Sequence, residues 1–318
     1  MKTLKKYHGV VIPSITPLTS DYRLDAEGVA RIFEFFHTNH VHPFILGTTG
    51  EASSLPISLK KEFLKLAGEL KQGTDVLYAG VSSNVLEEAI ELGKYAFDLG
   101  VDVVVATLPS YYTLTDAGML KYFLQLAKNL AGPLMIYNIP ATTHMSIPLA
   151  VADQLSHHPH IVGLKDSERS EERLKMSVEL WKDRSDFSHF LGWAAKSADA
   201  LLSGSDGLVP STGNIQPLLY ADLFQAAIKG DRDNAHLLQK LSDEWGALYQ
   251  SGRTLGESLW ALKILMKEYG LCEEYVMPPI YGQSMEEKIK LINGLNNLLN
   301  QWENYQDERK ANPSYNNG

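Results

Sequence analysis

The chain has 318 residues, 44% of them apolar and 21% charged, with a formal net charge of −9. That composition belongs to soluble globular proteins with a sizeable core and excludes disordered and fibrous classes. The acidic balance, unrelieved by any long Lys/Arg run, sets aside nucleic acid and membrane surfaces as partners. No segment approaches the roughly 20 apolar residues of a membrane span. Pro13, Ser14 and Pro17 break the apolar stretch behind the basic N-terminus before it gains signal-peptide character. The single cysteine, Cys272, cannot form an internal disulfide and has no histidine near it in sequence, so it reads as a packing residue in a reducing, cytoplasmic protein.

In chain order, short apolar and β-branched runs occur at residues 10–15, 43–46, 76–80, 101–106, 134–138, 161–165, 187–191 and 207–211. Between them, residues 25–40, 58–72, 85–99 and 115–130 place apolar side chains at i, i+3, i+4 and i+7, the spacing of helices packed on a sheet. Ser58 with Glu62 close behind it, Thr115-Asp116 and Ser170-Glu171-Glu172 read as helix starts, and Gly73 and Gly100 as helix stops. Eight alternating units predict an α/β fold of the TIM (β/α)8 barrel type. Residues 215–229, 233–250, 255–269 and 284–300 then read as helices without intervening strands. The expected organisation is a barrel over 1–230, a C-terminal helical extension over 231–305 and a flexible polar tail over 306–318.

Reactive groups of such barrels come from the C-terminal ends of strands and the loops that follow. The second strand ends in Gly47-Thr48-Thr49-Gly50-Glu51, a turn that can hold a carboxylate or serve only as a Gly-rich connection. The sixth ends an apolar run on Lys165, where desolvation favours the neutral, nucleophilic amine; the bland alternative is a lysine snorkelling to solvent. Tyr137, at the end of the fifth strand, neighbours Lys165 in a barrel and could shuttle protons to a carbinolamine. Tyr111-Tyr112 follow the fourth strand, as active-site residues or as lid or interface aromatics.

Together Gly47-Thr48-Thr49-Gly50-Glu51, Pro109-Ser110-Tyr111-Tyr112, Tyr137-Asn138-Ile139-Pro140, Gly163-Leu164-Lys165-Asp166 and the helical extension resemble the dihydrodipicolinate synthase and N-acetylneuraminate lyase family of class I aldolases. The resemblance covers nearly the whole chain. It implies that Lys165 forms an imine with pyruvate or a related 2-oxo acid, that Tyr137 moves the proton, that Thr48 is the relay hydroxyl and that Thr49 anchors the carboxylate. It also implies that Tyr111 reaches into a partner's site, that the Val209 carbonyl faces pyruvate, and that the chain forms a homotetramer, a dimer of dimers. No metal and no organic cofactor are needed. Glu51 is expected as a structural acceptor behind the Thr48-Thr49 turn.

Dihydrodipicolinate synthases carry an arginine where this chain has Thr142, and N-acetylneuraminate lyases carry acids where Ala194-Ala195 follow Gly192-Trp193. The favoured reading is therefore cleavage or formation of a 2-keto-3-deoxy or 4-hydroxy-2-oxo acid, with an aldehyde as the second partner and Thr142, Thr143, Ser167, Gly192 and Trp193 shaping its pocket. The two named activities are the alternatives, and a non-catalytic binding protein derived from the family is a further one. A metal-dependent enzyme on the same barrel would need His, Asp and Glu at strand ends. The clusters His37/His40/His42 and His157/His158/His160 instead precede strands, on the opposite face.

Overall fold

The computed structural model describes residues 4–311. Eight parallel strands close a barrel in sequence order: β1 Gly9–Pro13, β2 His42–Ile45, β3 Tyr78–Gly80, β4 Val103–Thr107, β5 Leu134–Asn138, β6 Ile161–Asp166, β7 Ser188–Leu191 and β8 Gly207–Leu208. β8 pairs with β1 through Gly9 and Gly207, leaving no free sheet edge. Most of the strands read as largely apolar runs because both of their faces are covered. Val104, Ile136 and Leu164 lie under the surrounding helices, while Val11, Phe44, Tyr78, Val105, Met135 and Phe190 form the cluster inside the barrel.

Local signals account for several helix boundaries. Thr115 accepts a hydrogen bond from Gly118 N and Ser170 one from Arg173 N, each capping its helix. Gly100, at φ +84°, follows the helix Leu86–Asp98. Ser58 is not a cap: the helix Ile57–Leu70 starts one residue earlier, behind Pro56, whose ring presets the entry dihedral. Leu149–Leu155 and Ser197–Ser203 form helices of seven residues each, too short for their periodicity to stand out.

After the barrel helix Pro217–Ile228, the extension comprises Arg232–Gln250, Leu255–Glu268 and Met285–Ala311. Trp245, Tyr249, Leu262 and Leu295 share one core with Val10, Ile12 and Leu208 of the barrel. The last helix passes the expected end at residue 300 and continues through the first part of the segment read as a tail. Trp302 anchors it, buried and stacked on Tyr305, whose hydroxyl donates to Asn234 Oδ1 at 3.2 Å. Residues 312–318 of that segment lie outside the described residues. Among the described residues no helix is long and apolar enough to cross a membrane.

Candidate active site

The parallel register of β5 and β6 sets Tyr137 directly beside Lys165, with Phe190 of β7 on the other side. Side chains at matched positions of neighbouring strands point to the same face, here the mouth of the barrel. Lys165 is 3% exposed, and its Nζ stands 3.8 Å from the Tyr137 ring centroid and 4.9 Å from that of Phe44. Burial pushes the amine below its ordinary lysine value, and the facing Tyr137 only partly opposes this. Burial pushes the Tyr137 phenol up, but the Lys165 charge and hydrogen bonds from Ser167, Thr48 and Lys165 outweigh it and hold the phenol below its ordinary value. The site thus pairs a lysine that sheds its proton readily with a phenol that does the same.

The residues after the pair are tied behind the sheet. Asn138 Nδ2 donates to Asp166 Oδ1 at 2.9 Å and to Glu168 Oε2 at 3.0 Å, while Arg173 Nε donates to Asp166 Oδ2 at 2.6 Å. A charge-assisted brace of this kind fixes the two strand ends relative to each other. Ser167 Oγ donates to the Tyr137 hydroxyl at 3.4 Å, and Gly192 leaves it room: a Cβ there would lie 2.1 Å from that oxygen. Val209 belongs to the cluster inside the barrel, its N–H donating to Leu191 O at 2.7 Å.

A cavity of about 450 Å³ opens over Tyr137, bounded by Phe44, Thr48, Thr107, Thr142 and Thr143. It runs on to Ser82, Ser83 and Asn84 of one loop and to Lys60 and Glu88 of the helices Ile57–Leu70 and Leu86–Asp98, residues that nothing local in the sequence marks. Thr49 is buried beside it. Glu51 is a structural acceptor, as expected. The Thr48-Thr49 turn closes on its own backbone through Glu51 N to Thr48 O at 3.1 Å, and the Glu51 carboxylate accepts from Met277 N at 2.5 Å. Glu51 also pairs with Lys263 of the extension at 2.6 Å, both side chains fully buried.

The model of the dihydrodipicolinate synthetase family matches residues 6–298. The chain belongs to that family. An uncharacterized DapA-like lyase of Thermococcus kodakarensis is 29% identical over 290 residues, spanning 89% of this chain and 98% of the relative. A 4-hydroxy-tetrahydrodipicolinate synthase of Alkalilimnicola ehrlichii is 27% identical over 298 residues, spanning 91% and 100%. Dihydrodipicolinate synthase from Bacteroides thetaiotaomicron superposes with a TM-score of 0.88 at 30% identity, covering 93% of this chain and 100% of that one. A prophage protein of E. coli K12 belonging to the dihydrodipicolinic acid synthase family, in complex with pyruvate, superposes at 0.87 and 26% identity, covering 92% and 99%. This member of the dihydrodipicolinate synthetase family is an enzyme of the pyruvate-dependent class I aldolase and lyase type.

The structure brings Lys165, Tyr137, Thr48 and Ser167 together, and Thr142 and Thr143 line the cavity over Tyr137. Trp193, half-buried, packs on the core shared by the barrel and the extension. Its strand ends two residues earlier and the chain then turns at Ala194–Lys196. Tyr111 is 79% exposed and Tyr112 75%, their rings edge to face at 4.9 Å, with the Tyr111 N–H donating to Asn84 Oδ1 at 3.3 Å. Both histidine clusters are engaged at the other end of the barrel. His37 meets Asp75 at 3.0 Å, His42 Nδ1 accepts from Val76 N at 3.3 Å, and His157 faces Asp153 O at 2.8 Å. Cys272 is buried, its thiol pushed up to about 12 by burial, as suits a packing residue.

Proposed function

We propose that this enzyme breaks or forms the C3–C4 bond of a 2-oxo acid through a Schiff base on Lys165, with 2-keto-3-deoxy or 4-hydroxy-2-oxo acids as substrates. The observation that carries the reading is the buried Lys165 amine, lowered by desolvation and set against an acidified Tyr137. The neutral amine attacks the C2 carbonyl, and Tyr137 passes a proton to the carbinolamine oxygen so that water leaves and an iminium remains. Breaking C3–C4 then sends its electron pair into the iminium, the C4 hydroxyl gives up its proton, and an aldehyde departs from an enamine. Protonation at C3 and hydrolysis return pyruvate and the free lysine. Thr48 completes the proton relay, Thr49 and the Val209 carbonyl orient the 2-oxo acid, and no metal or cofactor enters the scheme.

Covalent trapping tests this directly. Borohydride with pyruvate should reduce the imine to a secondary amine and add the corresponding mass at Lys165, with activity insensitive to chelators. Loss of activity to a chelator with no adduct would replace the Schiff base with metal chemistry.

Substrate choice rests on what the cavity wall lacks. Thr142 offers no guanidinium fork for a second carboxylate, and an unpaired desolvated charge costs several kcal/mol. Cleavage of 2-keto-3-deoxy and 4-hydroxy-2-oxo acids should therefore exceed both condensation with aspartate semialdehyde and cleavage of N-acetylneuraminate. A substrate panel under one set of conditions decides it. Aspartate semialdehyde emerging as the best partner would restore the activity named for the Alkalilimnicola ehrlichii relative.

The exposed Tyr111-Tyr112 pair supports a site completed across a subunit interface, in a cytoplasmic homotetramer arranged as a dimer of dimers. Tyr111→Ala should lower activity and weaken association together in sedimentation runs. A monomer of undiminished activity at high dilution would remove Tyr111 from the site.

A further inference from the structure

The loop that carries Thr48 and Thr49 is bracketed by two non-glycine residues in the left-handed region, Leu46 at φ +55° and Glu51 at φ +58°. Both are buried, and bulky side chains at such dihedrals cost free energy that the surroundings must offset. On the barrel side, Thr16 Oγ1 donates to Gly50 O at 2.6 Å, and the Leu46 carbonyl presses so close to Gly80 that a Cβ there would lie 1.9 Å from it. On the other side stands the extension. Lys263, in the helix Leu255–Glu268, pairs with Glu51 Oε1 at 2.6 Å and donates to Tyr275 O at 2.6 Å, and Met277 N donates to Glu51 Oε2 at 2.5 Å.

We infer that Lys263 is a positioning residue: its buried pair with Glu51 holds the strained 46–51 loop in the conformation that presents Thr48 to Tyr137 and Thr49 to the carboxylate of the 2-oxo acid. A charge pair is suited to this task. Fully buried, it has no competing water, and its geometry is fixed further by the Tyr275 carbonyl and the Met277 N–H. The extension thereby acts on the 2-oxo acid step, while the aldehyde end, walled by Thr142 and Thr143, is left alone. This inference rests on the Schiff-base reading above.

The test uses two variants of the full chain. Lys263→Met leaves the Glu51 carboxylate buried and unpaired, so it can lose stability for that reason alone. Glu51→Gln with Lys263→Met removes both charges at similar volume and keeps an acceptor for Met277 N–H. In the double variant, melting temperature should stay near wild type while the pyruvate concentration that half-saturates borohydride trapping at Lys165 rises roughly tenfold or more, as a displaced positioning loop predicts. The KM for the aldehyde should stay within about twofold, a split that a general loss of stability would not produce. A folded double variant with wild-type pyruvate saturation overturns the inference. So does failure of both variants to fold, which assigns the pair to stability alone. Absence of an adduct in the wild-type protein would instead refute the Schiff base itself, so the two failures are distinguishable.

Discussion

A Lys165→Ala enzyme is expected to lose turnover and the borohydride-stable adduct together while remaining folded. The amine is the only group in the proposed scheme that bonds to substrate, so no neighbour can substitute for it. Its surroundings also make a second, less obvious outcome calculable in sign. Lys165 is buried against Phe44 and Tyr137, and its ordinary value near 10.5 is lowered mainly by desolvation. The charged form is therefore disfavoured by folding. At neutral pH the folded protein bears that cost, and it disappears as the pH rises through the lowered value toward the ordinary lysine value of the unfolded chain. Lys165→Met, which keeps the volume without the charge, should melt above wild type at neutral pH, with the gap narrowing in alkaline buffer. Melting below wild type at neutral pH would mean that contact with Tyr137 stabilises the amine more than burial penalises it.

Such a trade of stability for function is common at active sites, and it explains why Lys165 is legible from the amino-acid sequence alone. An apolar strand ending on a lysine contradicts its own pattern, and in a barrel the contradiction sits at the mouth. Tyr137 is legible by the same logic, since consecutive parallel strands in a barrel are neighbours. The eight strands can be counted because burial on both faces makes most of them largely apolar runs. Recognition fails where the cause is tertiary. Glu51 and Met277 lie 226 residues apart, and no local spacing joins the Thr48-Thr49 loop to the extension. Ser82, Asn84 and Lys60 look like ordinary surface residues until the cavity brings a loop and a helix together. Trp193, a large aromatic after a strand-end glycine, suggests a pocket wall, while the core its ring packs on is invisible to local spacing. The helix to Ala311 is hidden by a polar composition that two aromatics, Trp302 and Tyr305, override.

Tyr137→Phe separates the two tasks of the phenol. As the proton carrier of the carbinolamine, its hydroxyl should be worth about 10²-fold or more in kcat, the usual scale for a positioned acid–base group. As a neighbour of Lys165 it does something different: the phenol opposes the effect of burial by raising the amine, through its charge and its hydrogen bond. Phenylalanine keeps the ring face but removes both contributions. The Lys165 amine should then lose its proton at lower pH than in the wild type, so the pH midpoint for trapping pyruvate should move down even as turnover collapses. Thr48 and Ser167 are left without the hydroxyl they hydrogen-bond, so the proposed relay is broken at the step that faces Lys165. Measuring kcat and the pH profile of trapping on the same variant checks both halves. A normal kcat would hand the proton to another group, and a midpoint that stays in place or rises would show that the phenol does not set the basicity of Lys165.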